Sequence, residues 1–169
     1  MRPGQDSRGT IATPSAAIEI FERTRTLTFA AHRNATIAVW RAAPTAVALD
    51  RIDGYVGRVS SRHPRIMSLV VMEGAEIRPP EHDAREAHAQ LTKKYESASL
   101  GVAIIIDGAT AKHSLFRFVL STVTLLSAPT VTQRIFATVG SAAGWAATLD
   151  AKLDRDQLIE AISQARAPG

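Results

Sequence analysis

Apolar and polar positions first fall into a regular pattern between Thr24 and Arg41. Leu27, Phe29 and Ala31 alternate with Thr26, Thr28 and Ala30, and Ile37 and Val39 alternate with Ala38 and Trp40. Period two on both sides of the short polar stretch His32-Arg33-Asn34-Ala35 predicts a β-hairpin, its turn type left open. The period then changes. From Pro44-Thr45 to about Arg62, the residues Leu49, Ile52, Val56 and Val59 recur at helical spacing, with Tyr55 beside them and Arg51, Arg58 and Arg62 on the other side. Gly54 and Gly57 weaken this helix by about 1 kcal/mol each relative to Ala. His63-Pro64 ends it, because a residue before proline is pushed out of the helical region.

Ile66 to Met72 (IMSLVVM) is apolar almost throughout, which predicts a strand covered on both faces. Pro79-Pro80 opens a helix from Glu81 to about Ser97, with Ala84, Leu91 and Tyr95 inward and Glu81, Arg85, Glu86, Gln90 and Lys93 outward. Leu100 to Ser127 follows: a buried strand centred on Val102 to Ile106, a turn at Asp107-Gly108, and a helix from Lys112. That helix carries one apolar set at Leu115, Phe118, Val119, Thr122 and Leu126, and a second at Phe116, Leu120 and Val123. A helix apolar over so much of its circumference is central or belongs to an interface. Leu158 and Ile162 of the last helix, or a second copy of the chain, are the two candidate covers for the second set.

Gln133 to Val139 reads as a half-exposed last strand, and Gly140-Ser141 leads into a short helix with Ser141 a candidate N-cap. The final helix has the clearest start: Asp154 as N-cap, Gln157 three residues on, and Leu153 and Leu158 placed as a hydrophobic staple. Strands alternating with helices require crossovers. The expected fold class is therefore α/β, with one mixed, mainly parallel sheet of about five strands: an N-terminal hairpin, then βα units, with helices packed on the sheet. Residues 1–19, rich in Pro, Gly, Ser and Thr, are expected to form a disordered tail. Residues 20–167 are expected to form a single domain, including an added C-terminal helix over 153–166.

Composition narrows the chemistry. The chain has 169 residues, and with no cysteine it has no disulfide, thiolate metal site or thiol nucleophile. A net charge of +4 is only mildly basic. The densest basic group, Arg58, Arg62, His63 and Arg65, has no interleaved aromatic residue, so nucleic acid is not an expected partner. No apolar run has the length of a spanning helix, and MRPGQDSRGTIATPSAA lacks the apolar core of a signal peptide, so a cytoplasmic location is expected. His82 and Glu86 share a helix face without a nameable third ligand, so no metal is expected. No nucleophile elbow, phosphate loop or dinucleotide fingerprint is present, and no cofactor is expected. The strand ends are the remaining candidate: Glu73, and Asp107 with Thr110 and Lys112 at the following strand-to-helix turn, where ligands favour open α/β sheets.

The order and spacing from Ile20 to Leu149 resemble the STAS domain family, including anti-sigma-factor antagonists of the SpoIIAA type. TAVALDRIDGYVGRV is similar to the first helix of that fold, RHPRIMSLVVMEG to the strand after it, and VTQRIFATVGSAAGWAATL to its last strand and helix. The resemblance implies a non-enzymatic signalling module that binds another protein or itself as a homodimer, though some members bind small ligands. Regulated antagonists of this kind carry a phosphorylatable Ser, usually beside an Asp, where the third strand enters the second helix. The matching segment, residues 73–79, has no Ser or Thr, and one unit later Asp107-Gly108-Ala109-Thr110 offers only Thr110. The usual phospho-switch is therefore not expected.

Overall fold

The computed structural model describes residues 17–73, 80–107 and 130–168. Their frame is a six-stranded sheet in the order β1-β2-β3-β4-β5-β6. The strands are β1 (Glu19–Arg23), β2 (Leu27–His32), β3 (Ala35–Trp40), β4 (Ile66–Met72), β5 (Ser99–Ile105) and β6 (Gln133–Phe136). β1, β2 and β3 pair antiparallel, and β3 through β6 pair parallel. The α/β class and the mixed, mainly parallel sheet agree with the sequence pattern. The difference is the edge strand β1, which the periodicity did not reveal. Its register slips between Ile20 and Glu22, and a bulge breaks the period-two signal.

The hairpin turn is the two-residue Arg33-Asn34 step, with Arg33 at φ 54°. Every residue of β2 and β3 is buried, because helices cover both faces. On one face lie α1 (Ala46–Arg62) and α2 (His82–Lys94). Leu49, Ile52, Val56 and Val59 of α1 meet Leu27, Phe29, Ala38 and Trp40 there. Thr45 caps α1, its hydroxyl accepting the Ala48 N–H. The helix expected to run to Ser97 stops at Lys94, and a single 3-10 turn, Glu96–Ala98, leads into β5.

On the opposite face lie α3 (Val139–Leu149) and α4 (Arg155–Arg166). Ala142, Ala143 and Ala146 let α3 approach β5 closely, while Leu158, Ala161, Ile162 and Ala165 of α4 close over Ala30, Ile37 and Val39. Leu158 and Ile162 are fully buried in the cluster on this sheet face; the second apolar set they were a candidate cover for, Phe116, Leu120 and Val123, lies outside the described residues. The N-cap of α3 is Thr138, not Ser141: the Thr138 hydroxyl accepts the Ser141 N–H at 3.2 Å. Helical φ/ψ begin at Val139, so a cap at Ser141 would lie inside the first turn. At α4 the expected cap is present, with Asp154 Oδ1 accepting the Gln157 N–H at 2.9 Å. Leu153 and Leu158 are both buried in the same cluster, as a staple requires.

Candidate functional site

The four parallel strands end along one rim of the sheet, and charged residues leave three of them there. Arg41 follows β3, Glu73 follows β4, and Asp107 follows β5 after the buried Ile106. Trp40 pairs with Met72, and the Glu73 N–H donates to the Trp40 carbonyl at 2.7 Å, so the Arg41 and Glu73 side chains start from adjacent positions. The last turn of α4 brings Arg166 between the two carboxylates. Its Nε donates to Glu73 Oε1, and its Nη1 donates to Asp107 Oδ2 at 3.2 Å. Arg41 Nε lies 3.5 Å from Glu73 Oε2.

Arg41 also ties the rim to the helix above it. Its Nη1 donates to Thr28 Oγ1 at 3.0 Å, and its Nη2 to the Arg166 carbonyl at 3.2 Å. Arg23 of β1 donates from Nη2 to the Gln164 carbonyl at 2.8 Å. Two guanidinium groups thus satisfy carbonyls at the C-terminus of α4, where a helix leaves acceptors open and its dipole favours positive charge. Burial works against the charge on Arg166, but its bonds to Glu73 and Asp107 outweigh that and hold its pKa above the ordinary guanidinium value. Side-chain exposure grades outward, from 22% at Glu73 and 23% at Arg41 to 32% at Arg166 and 43% at Asp107. Glu73 and Arg41 are therefore the anchored pair, and Asp107 is the one most open to a partner from solution.

Beside this cluster lies a depression of about 360 Å³, lined by Asp107, Val139, Ile159, Ile162, Ser163 and Arg166. That is at the small end of ligand sites. A smaller hollow of about 120 Å³ between α1 and α2 contains the Asp53–Lys94 pair. His82 Nδ1 and Glu86 Oε2 are 4.0 Å apart on an exposed face. No group of three metal-ligating side chains occurs among the described residues.

Of the residues that the sequence offered as ligand-binding, Glu73 and Asp107 are brought together, bridged by Arg166. Thr110 and Lys112 lie outside the described residues, as do the proposed interface residues Phe116, Leu120 and Val123. Arg41, Ser163 and Arg166 were not anticipated. One signal pointed to Arg41, a charged residue directly after a buried strand, as Glu73 is. Arg166 carried only the generic signature of a basic last turn.

No family model matches the chain, nor does any curated protein. Among solved structures, the chain is similar to an uncharacterized protein of the DUF3478 family with a SpoIIAA-like fold, from Shewanella loihica PV-4. The two are 19% identical, with a TM-score of 0.47, over 76% of this chain and 91% of that one. Among the described residues, no helix is long and apolar enough to cross a membrane.

Proposed function

We propose that this chain is a non-enzymatic binding module of STAS-like type, and that it recognises its partner or ligand at the rim where β3, β4 and β5 end. The supporting observation is that Arg41, Glu73, Asp107 and Arg166 all face opposite charges within one cluster. A general acid or base needs its titratable group within reach of the substrate's proton. Here the carboxylates are occupied by guanidinium groups, an arrangement suited to recognition by exchange of hydrogen-bonded partners. The depression beside the cluster gives such a partner a place to lie.

Thermal-shift measurements against carboxylates, phosphates, nucleotides, amino acids and acyl compounds test this reading, since a ligand of the native state raises its stability. A compound acting at the rim stabilises the wild type and not Ser163→Trp, a change at an exposed lining residue that obstructs the depression. Absence of any stabilisation at millimolar ligand counts against the small-ligand form of the proposal. Turnover of a panel member overturns the non-enzymatic part.

A second reading places the contact with another protein, or with a second copy, on the apolar set Phe116, Leu120 and Val123. The sequence pattern supports it. Light scattering after size exclusion tests it: a dimer that Leu120→Asp dissociates is the expected result, and a monomer at high concentration removes it.

A further inference from the structure

We infer that the rim depression takes a small zwitterion with an aliphatic body, of the α-amino acid class. The inference rests on the rim being a binding site and adds the chemistry of its occupant.

Charge is the first argument. The wall of the depression carries one carboxylate and one guanidinium side by side, Asp107 and Arg166. A simple anion drawn to Arg166 meets Asp107 beside it and Glu73 behind it. A simple cation drawn to Asp107 meets Arg166. A molecule bearing both charges at short separation satisfies both groups. Asp107 Oδ2 and Arg166 Nη1 are 3.2 Å apart. In an α-amino acid, the nitrogen and the carboxyl carbon are about 2.5 Å apart. An α-amino acid carries its two charges one carbon apart, so a single small molecule can offer an ammonium to Asp107 and a carboxylate to Arg166 at the same time.

Preorganisation is the second. The Arg166 guanidinium is fixed from behind by its bond to Glu73, which Arg41 braces in turn. Among the described residues, its Nη2 has no hydrogen-bond partner, and one oxygen of Asp107, Oδ2, is engaged. The Asp107–Arg166 contact is longer than the 2.7–2.9 Å typical of charge-assisted bonds and lies at the exposed end of the cluster. Pairs of that kind contribute little to stability, so exchanging one for a ligand costs little. The rest of the lining, Ser163 apart, is apolar: Val139 and Ile159 are half-buried and Ile162 is fully buried. That surface suits a branched aliphatic side chain, and the Ser163 hydroxyl is on hand for a further hydrogen bond.

Isothermal titration calorimetry on the full chain with three probes tests this. L-leucine carries both charges, 4-methylpentanoate only the carboxylate, and 3-methylbutylamine only the ammonium. The expected result is that leucine binds at least about tenfold more tightly than either half-molecule, the loss of one charge-assisted contact. Asp107→Asn should abolish the preference of leucine over 4-methylpentanoate while leaving carboxylate binding in place. Circular dichroism of the variant confirms that it is folded. If 4-methylpentanoate matches leucine and Ser163→Trp blocks both, the rim is an anion site and the zwitterion assignment is overturned. If no probe binds wild type at millimolar concentration, the zwitterion assignment fails too. The rim reading then stands or falls on the wider thermal-shift panel.

Discussion

A Cβ at Gly101 would sit 2.8 Å from Trp145 Cη2 and 3.3 Å from both the Thr132 carbonyl oxygen and Leu149 Cδ1. Trp145 cannot retreat freely, because Phe136 lies against it at 5.5 Å and the Arg134 guanidinium sits 5.4 Å from its ring. Gly101→Ala should therefore destabilise the fold by about 1–3 kcal/mol, the usual cost of overpacking, measured by urea denaturation. A second residue-scale expectation concerns acid. Arg51 grips Glu22 through Nε and Nη2, and Tyr55 donates to the same carboxylate at 3.2 Å. The Arg51 bond is the main cause of a Glu22 pKa below the ordinary carboxylate value. A depressed folded pKa gives stability that is fully present above the unfolded value of about 4.3 and is lost as pH falls through the folded value. The stability difference between wild type and Glu22→Gln should therefore be largest near neutral pH and shrink below about pH 4. Lys94 holds Asp53 below its ordinary value, and the Lys152 backbone N–H holds Asp150 below its own, so the variant removes only part of the acid sensitivity.

At the scale of elements, the N-cap Thr138 of α3 and the residue it caps, Ser141, make a discriminating pair. Thr138 accepts the Ser141 N–H and also donates to the Ser141 hydroxyl at 2.9 Å. Thr138→Ala should cost about 1 kcal/mol of stability, and Ser141→Ala only a few tenths, in thermal denaturation. The reverse ranking would restore the cap read from the sequence. That reading failed because Gly140-Ser141 looks like a helix start, whereas the helix begins directly off β6 at Val139. β4 was legible residue for residue, since IMSLVVM is apolar and bounded by Pro64 and Gly74. β1 was not, because EIFER mixes charged and apolar positions and gains its identity only by pairing with β2. The rim cluster follows the same rule. Glu73 and Asp107 were visible as residues that end buried strands, but Arg41 and Arg166 lie 125 residues apart in the chain. Only the path of α4 across β2 and β3 brings them to one place.

At the scale of the whole molecule, α4 is the second layer of the domain and not an appendage to it. β2 and β3 have no exposed residue, which is possible only because helices cover both faces. Without α4, Ala30, Ile37 and Val39 would lose the cover that Leu158, Ala161, Ile162 and Ala165 provide. Leu158 and Ile162 are fully buried, and truncating one such side chain to Ala costs about 2–5 kcal/mol. Total stabilities are about 5–15 kcal/mol, so Leu158→Ala should take a large share and removal of the helix more than the fold can lose. A chain ending at residue 152 should therefore show no cooperative thermal transition and no dispersed amide NMR spectrum, while Leu158→Ala should still fold with a lowered midpoint. A truncated chain that melts cooperatively would make α4 dispensable. The same helix supplies Arg166, Ser163, Ile159 and Ile162 to the rim depression, which couples site and fold. An occupant of that depression bridges α4 and the end of β5, so at a hundred times its dissociation constant it should add about 2.7 kcal/mol of stability. Hydrogen exchange would place that gain: added protection should fall on α4 and the C-terminal end of β5 and leave α1 and α2 unchanged.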